Sequence, residues 1–112
     1  MIKIEAIIRE EKLNAVKEAL ETQGFLGMTV TEVSGRGRQK GIRLQWRAGT
    51  YCVDFLPKLK VEVVVDDKDS EAVIDTICKI AKTGKEGDGK IFVYPLTEAV
   101  RVRTGERGKE GI

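Results

Sequence analysis

Apolar side chains recur along this chain with a period of two, then of about 3.6, then of two, and after a long interruption the same succession returns. Ile2, Ile4, Ala6 and Ile8 alternate with Lys3, Glu5, Ile7 and Arg9, which predicts a first strand with one apolar face. Leu13, Val16, Ala19 and Leu20 follow at helical spacing, and Gly24 supplies a stop. Met28 to Val33 is β-branched and strand-like. Lys60 to Val65 predicts a third strand, with Val61, Val63 and Val65 on one face and Glu62 and Val64 on the other. A second helix carries Val73, Ile74, Ile77, Ile80 and Ala81, with Asp69 or Ser70 as its expected cap. Ile91 to Tyr94 is the fourth strand, closed by Pro95.

This order, βαββαβ, is the ferredoxin-like plan, an α+β fold in which both helices cover one face of an antiparallel sheet. The other face is open. Ile7, Val64, Phe92 and Tyr94 have the parity to point there, and covering them would contribute roughly 1.5–3 kcal/mol each. A homo-oligomer sealed by sheet faces is expected. With 112 residues the chain makes a single domain, 1–112, containing a long loop at 34–57, a turn at 82–90 and a C-terminal segment from 96 onward.

Composition removes much chemistry. There is no histidine, so imidazole metal ligands, histidine bases and Ser/His or Cys/His nucleophile pairs are excluded. Cys52 and Cys78 show no CxxC spacing; Cys78 falls within a helical pattern and is expected to be a small buried hydrophobe. The net charge of +2 is too small to argue for DNA or a membrane. The opening MIKIEAIIRE lacks the apolar core and cleavage site of a signal peptide, so a cytoplasmic location is expected.

Three basic, glycine-linked segments suggest anion binding. In Thr83 to Val93, TGKEGDGKIFV, three glycines and two lysines share one turn, exposing backbone N–H groups beside ammonium groups. Gly84, Gly89 and Lys90 match the start of a P-loop, but Ile91 replaces the Mg²⁺-binding hydroxyl and the turn precedes a strand, so a P-loop enzyme is not expected. At the base of the long loop, GRGRQK offers Gly35, Gly37, Arg36, Arg38 and Lys40. In Arg101-Val102-Arg103, strand periodicity would send both guanidiniums to one side as a paired fork. The tail beyond Thr104 is polar and glycine-rich and expected to fray.

The stretch Ser34 to Pro57 stands where a compact domain uses about two to five residues. From Val33 to Val53 it has no acidic residue, and Trp46 lies beside Arg47 and close to Tyr51. Trp, Arg and Tyr are frequent interface anchors, which makes a partner-docking loop one reading and a solvated β-hairpin the other.

In this order, KIEAIIR, GMTVTEV, GRGRQKG, YCVDFLPKLKVEVVV, TGKEGDGKIFV and RVRTGE resemble the PII family of nitrogen-regulatory signal-transduction proteins nearly end to end. The resemblance implies a non-enzymatic regulator, a trimeric barrel binding ATP or ADP in clefts between subunits, and 2-oxoglutarate with Mg²⁺ and ATP. Gly87, Asp88, Gly89 and Lys90 would then cradle the phosphates with Arg38, Arg101 and Arg103, Gly35, Gly37 and Gln39 would also bind the nucleotide, and Ile7, Thr29, Glu62 and Val64 would lie around the adenosine. Gln39 would ligate Mg²⁺, and Gln39, Lys40, Gly41 and Lys58 would hold 2-oxoglutarate. Trp46 and Arg47 would enter an ammonium transporter when the loop extends; glutamine synthetase is a further implied client. Tyr51 occupies the position uridylylated in some relatives, within an altered tip, WRAGTY, where Gly49 replaces a serine that is phosphorylated in others.

A rival reading is an RNA-binding ferredoxin-like module using Phe92 and Tyr94. Ile4 and Ala6 stand where its first-strand aromatics belong, and aromatic content is only 5%.

Overall fold

The computed structural model describes residues 1–37, 42–46, 49–53 and 55–112, with the backbone alone for 42–46 and 49–53. The elements are β1 (Ile2–Ile8), a 3₁₀ turn (Glu10–Lys12), α1 (Leu13–Thr22), β2 (Thr29–Gly35), β3 (Ile42–Trp46), β4 (Gly49–Val53), β5 (Leu56–Val65), a 3₁₀ turn (Asp67–Asp69), α2 (Ser70–Ala81), β6 (Lys90–Pro95) and a final 3₁₀ turn (Gly108–Gly111). Four strands form an antiparallel sheet in the order β2-β5-β1-β6, with both helices on one face, as the ferredoxin-like plan requires. Among the described residues, strands β3 and β4 pair only with each other, Ile42 opposite Val53 and Trp46 opposite Gly49.

Strand periodicity places the core. Ile4, Ala6 and Ile8 of β1 and Leu59, Val61, Val63 and Val65 of β5 are buried against Val16 and Leu20 of α1 and Val73, Ile77 and Ala81 of α2. At the end of α1, Gly24 has a φ of 91°, its N–H reaches the Glu21 carbonyl at 2.9 Å and the Phe25 N–H reaches Leu20 at 3.0 Å. That pair of bonds is a Schellman stop, and it needs the left-handed backbone that glycine adopts without strain.

The strand predicted from Lys60 begins earlier, at Leu56, and Gly35 pairs with Leu56 to close the base of the long segment. Pro57 is tolerated because pairing with β1 starts only at Leu59, so residue 57 has a partner on the β2 side alone.

Several local expectations fail. Asp69 precedes α2 but makes no side-chain cap; its backbone is already helical, whereas a capping carboxylate needs extended backbone to turn back on the helix. Ser70 instead donates to the Asp67 carbonyl at 3.0 Å. Cys78 is exposed, one residue off the Val73, Ile77, Ala81 stripe that faces the sheet. The RVR segment is a turn, with Gly105 N–H on the Arg101 carbonyl at 2.7 Å, and no strand fork forms. The tail folds back: Val100 bridges Arg107, and Lys109 lies 3.0 Å from Asp66.

The face away from the helices is mixed, not simply apolar. Phe92 and Tyr94 are 45% and 39% exposed. Among them run Lys3, Glu5, Lys60 and Glu62, with Lys3 3.4 Å from Glu62 and Lys60 3.6 Å from Glu5. Tyr94 donates to Glu5 at 2.6 Å, and the Lys3 ammonium sits 4.8 Å from the Tyr94 ring centre.

Candidate functional site

A cavity of about 520 Å³ opens where the end of β1, the end of β2, the start of β5 and the turn before β6 converge. That volume suits a small molecule, for which sites of roughly 300–1,000 Å³ are usual. Ile7 and Phe92 supply apolar wall, Gly35 and Gly37 bare backbone, and Arg36, Lys58, Lys85 and Lys90 positive charge. Gly87, Asp88 and Gly89 form its rim. The one acidic side chain among these lining residues is that of Asp88.

The turn is built by glycine geometry. Gly84, Gly87 and Gly89 have φ values of 86°, 90° and 106°, a region that side chains with a Cβ enter only with strain. At Gly89 space also decides, since a Cβ would lie 1.7 Å from the Ile7 carbonyl oxygen. The turn thus rests directly on β1.

Asp88 organises this turn. One carboxylate oxygen accepts from the Thr83 hydroxyl and from Arg9 Nε at 3.1 Å, and the other accepts from the backbone N–H groups of Thr83 and Gly84, both at 2.9 Å. Hydrogen bonds from Thr83 and Gly84, with the Arg9 guanidinium, hold its carboxyl far below the usual carboxylate range. Arg9 Nη2 also donates to the Glu86 carbonyl at 2.7 Å.

Lys58 is 9% exposed and donates to the Gly87 carbonyl. Burial lowers its pKa, and the nearby Arg9 charge lowers it further. Among the described residues no carboxylate lies within ion-pair distance of this ammonium.

The sequence-predicted residues divide into groups. Ile7, Gly35, Gly37, Lys58, Gly87, Asp88, Gly89 and Lys90 line this cavity together. Thr29, Glu62 and Val64 line a second cavity of about 740 Å³, bounded also by Phe25, Asp66, Lys109 and Ile112. Thr29 pairs with Glu62 six residues along β2 from Gly35, roughly 20 Å at strand rise. Arg101 is in neither cavity: its Nη2 donates to the carbonyls of Glu110 at 3.3 Å and Ile112 at 2.7 Å. Arg103 is exposed on the same turn. Arg38, Gln39, Lys40, Gly41 and Arg47 lie outside the described residues, as do the side chains of Trp46 and Tyr51.

Arg9 and Thr83 were not singled out from the sequence as site residues. Arg9 meets Asp88 from 79 residues away in the chain, so no local pattern marks the contact. Phe92 was assigned to the open face, and it lines this cavity too.

The family model for nitrogen regulatory protein P-II matches residues 1–106. The chain belongs to that family. A P-II protein of Methanothermobacter thermautotrophicus, designated P-II 1, is 54% identical over 112 residues, covering all of this chain and 97% of the relative. The P-II proteins of Rhodospirillum rubrum and Rhizobium meliloti are 55% and 56% identical, with both chains covered in full. The braced glycine turn and both cavities therefore belong to a P-II fold, and the match spans all the cavity-lining residues except the last few of the tail. Among the described residues no helix of this P-II chain is long and apolar enough to cross a membrane.

Proposed function

We propose that the protein is a nitrogen-regulatory sensor, not an enzyme, that binds ATP or ADP in clefts between copies of itself, binds 2-oxoglutarate with Mg²⁺ and ATP, and controls an ammonium transporter through its long loop. The observation that carries this reading is the glycine turn at a cavity supplied with Arg36, Lys58, Lys85 and Lys90. Bare amides and ammonium groups are what a chain of phosphates requires.

The division of the candidate residues supports a shared site. Gly35 at the first cavity and Thr29 at the second are roughly 20 Å apart along β2 of one protomer, a span that two adjoining copies would close for one nucleotide. Ile7 and Phe92 offer apolar wall on the first copy, and Thr29, Glu62 and Val64 hydrogen-bonding and apolar groups on the second.

The donor chemistry suits Mg²⁺ held mainly by its ligands. No group of three or more Cys, Asp or Glu residues among the described ones could hold a metal, and Mg²⁺ with phosphates needs few protein ligands. Gln39 would supply one oxygen. Mg²⁺ would neutralise phosphate charge and present coordination sites to the keto acid. Lys58, whose ammonium donates to the Gly87 carbonyl, would offer that charge to the distal carboxylate.

Occupancy then biases the long loop. With ADP, or without 2-oxoglutarate, the loop extends and Trp46 and Arg47 engage the transporter; with 2-oxoglutarate at Gln39, Lys40 and Gly41 it cannot. Linkage requires the transporter to weaken 2-oxoglutarate binding by the same factor.

The RNA-binding alternative is disfavoured by the open face. Phe92 pairs across strands with Glu5, and Tyr94 is bonded to that carboxylate, with Glu62 close by. The lysines of this face, Lys3 and Lys60, are already paired with those carboxylates and so are not set out as cations for a phosphate backbone.

Calorimetric titration with ATP, ADP and 2-oxoglutarate, with and without Mg²⁺, tests the sensor. Micromolar nucleotide binding, with 2-oxoglutarate bound only when MgATP is present, supports it; no heat at millimolar nucleotide overturns it. Sedimentation with transporter-bearing membranes, abolished by MgATP plus 2-oxoglutarate, tests the output.

A further inference from the structure

Asp88 poses a problem for an anion site, because it places a carboxylate on the rim of a cavity meant for phosphates. Its surroundings resolve the problem. Both oxygens are engaged by the protein: Arg9 and the Thr83 hydroxyl on one, the Thr83 and Gly84 N–H groups on the other. Four donors saturate most of what a carboxylate can accept, and one of them carries a full positive charge.

The bonds also join the two ends of the turn. Thr83 and Gly84 open it, Asp88 closes it, and Arg9 ties both Asp88 and the Glu86 carbonyl to the end of β1. Between these anchors lie Lys85 and Gly87, which line the cavity, Gly87 with a left-handed backbone. A loop rich in glycine has much conformational freedom to lose on binding unless it is already held.

We infer that Asp88 braces the anion-binding turn and is not one of its ligands, and that Arg9 is a positioning residue which both holds that brace and cancels its charge. This inference rests on the nucleotide reading above. It removes the Asp88 side chain from the set that would touch phosphate and leaves its backbone N–H there.

Two consequences separate a brace from a ligand. Arg9 and Asp88 share an ion pair, and removing Arg9 alone also leaves the Asp88 charge uncancelled, so their losses should not add. Freed from the brace, the turn amides should exchange faster while the core strands stay protected.

The test uses the full chain as Arg9→Gln, Asp88→Asn, the double variant and Arg9→Lys, with ATP affinity by calorimetry and hydrogen exchange by mass spectrometry. Each single substitution is expected to weaken ATP roughly tenfold, the range for a hydrogen bond to a charged group. The double variant should lose no more than the weaker-binding single one. Exchange should rise across 84–89 and stay unchanged in β1 and β5. Arg9→Lys should recover part of the affinity, since it restores the charge without the second donor to Glu86. Arg9→Gln binding ATP as tightly as the parent would overturn the inference; so would losses that simply add in the double variant, or exchange rising equally across the sheet. If the unsubstituted protein binds no ATP, the nucleotide reading fails first and takes the positioning role with it, a result distinct from all of these.

Discussion

The Lys58 ammonium donates its hydrogen bond to the backbone carbonyl of Gly87, so a buried cation is satisfied by a dipole and not by a carboxylate among the described residues. A lone buried ammonium is costly, and the cost appears as a lowered pKa caused by burial and then by Arg9. Such a charge is ready for an anion because part of its hydration is already lost.

The stability consequence has a definite sign. The unfolded chain holds the Lys58 proton more tightly than the folded one, so wild-type stability rises with pH between the lowered folded value and the ordinary lysine value. Below that window the penalty is present in full. Lys58→Met is therefore expected to raise Tm at pH 7, and the advantage should shrink as the pH climbs toward the ordinary lysine range. Calorimetric melts from pH 6 to 10 measure this; a Tm lowered at pH 7 would show that the Gly87 contact outweighs desolvation. The same variant should lose 2-oxoglutarate affinity if the proposed sensor is right.

Gly89 and Gly84 both have positive φ, but only Gly89 is crowded. Gly89→Ala should cost at least about 2 kcal/mol, because its Cβ would collide with the Ile7 carbonyl and push the turn off β1. At Gly84 nothing lies within 4 Å of an added Cβ, so the cost should be about 1–2 kcal/mol of backbone strain. Urea denaturation of the two variants gives the difference directly. Equal costs would mean that the turn can shift away from β1.

These residues also show what could be read from the chain. The two periods placed β1, α1, β5 and α2 because burial on one face is a local property of sequence, and Gly24 marked a stop because the Schellman geometry selects glycine. The glycine turn was legible as a candidate anion site for the same reason. Arg101-Val102-Arg103 misled because three residues cannot distinguish a strand from a turn, and the Thr104-Gly105 sequence after them is turn chemistry. Cys78 misled because an apolar type inside a helical pattern need not lie on its buried stripe. The Arg9–Asp88 and Lys58–Gly87 contacts were out of reach altogether: each depends on strand order bringing distant segments together. The division of the candidate residues between two cavities follows from strand register, which also had to be seen.

Glu5 and Tyr94 should titrate as a pair. The Tyr94 hydroxyl, with the Lys60 and Lys3 charges, holds the Glu5 carboxyl below its usual range, and the bond to Glu5 holds the Tyr94 phenol above 10. The carboxylate's contribution is full above the ordinary glutamate value and fades as pH falls through the lowered one; the phenol's is full below 10 and fades as pH rises through its raised value. Ultraviolet titration of the two tyrosines should show one phenol ionising above the ordinary value, and Glu5→Gln should bring it back toward 10. A pair of ordinary phenols in the parent protein would mean that the contact is not kept in solution.

The tail is held by Lys109 on Asp66 at 3.0 Å and by Arg101 on the Glu110 and Ile112 carbonyls. Lys109 bonding keeps the Asp66 carboxyl below its usual range, so this tie should persist above the ordinary aspartate value and weaken as pH falls through the lowered one. It is exposed at the lysine, so salt should weaken it as well. Lys109→Ala is expected to speed amide exchange over 105–112 and to leave Tm nearly unchanged, because none of the tail lies in the core. If Arg101 serves the phosphates as the family resemblance implies, its present bonds to the tail compete with that role. Lys109 also bounds the second cavity, so the sign of the change in ATP affinity separates the two roles: a rise means that the tail competes for Arg101, and a drop means that the docked tail helps to build the nucleotide site.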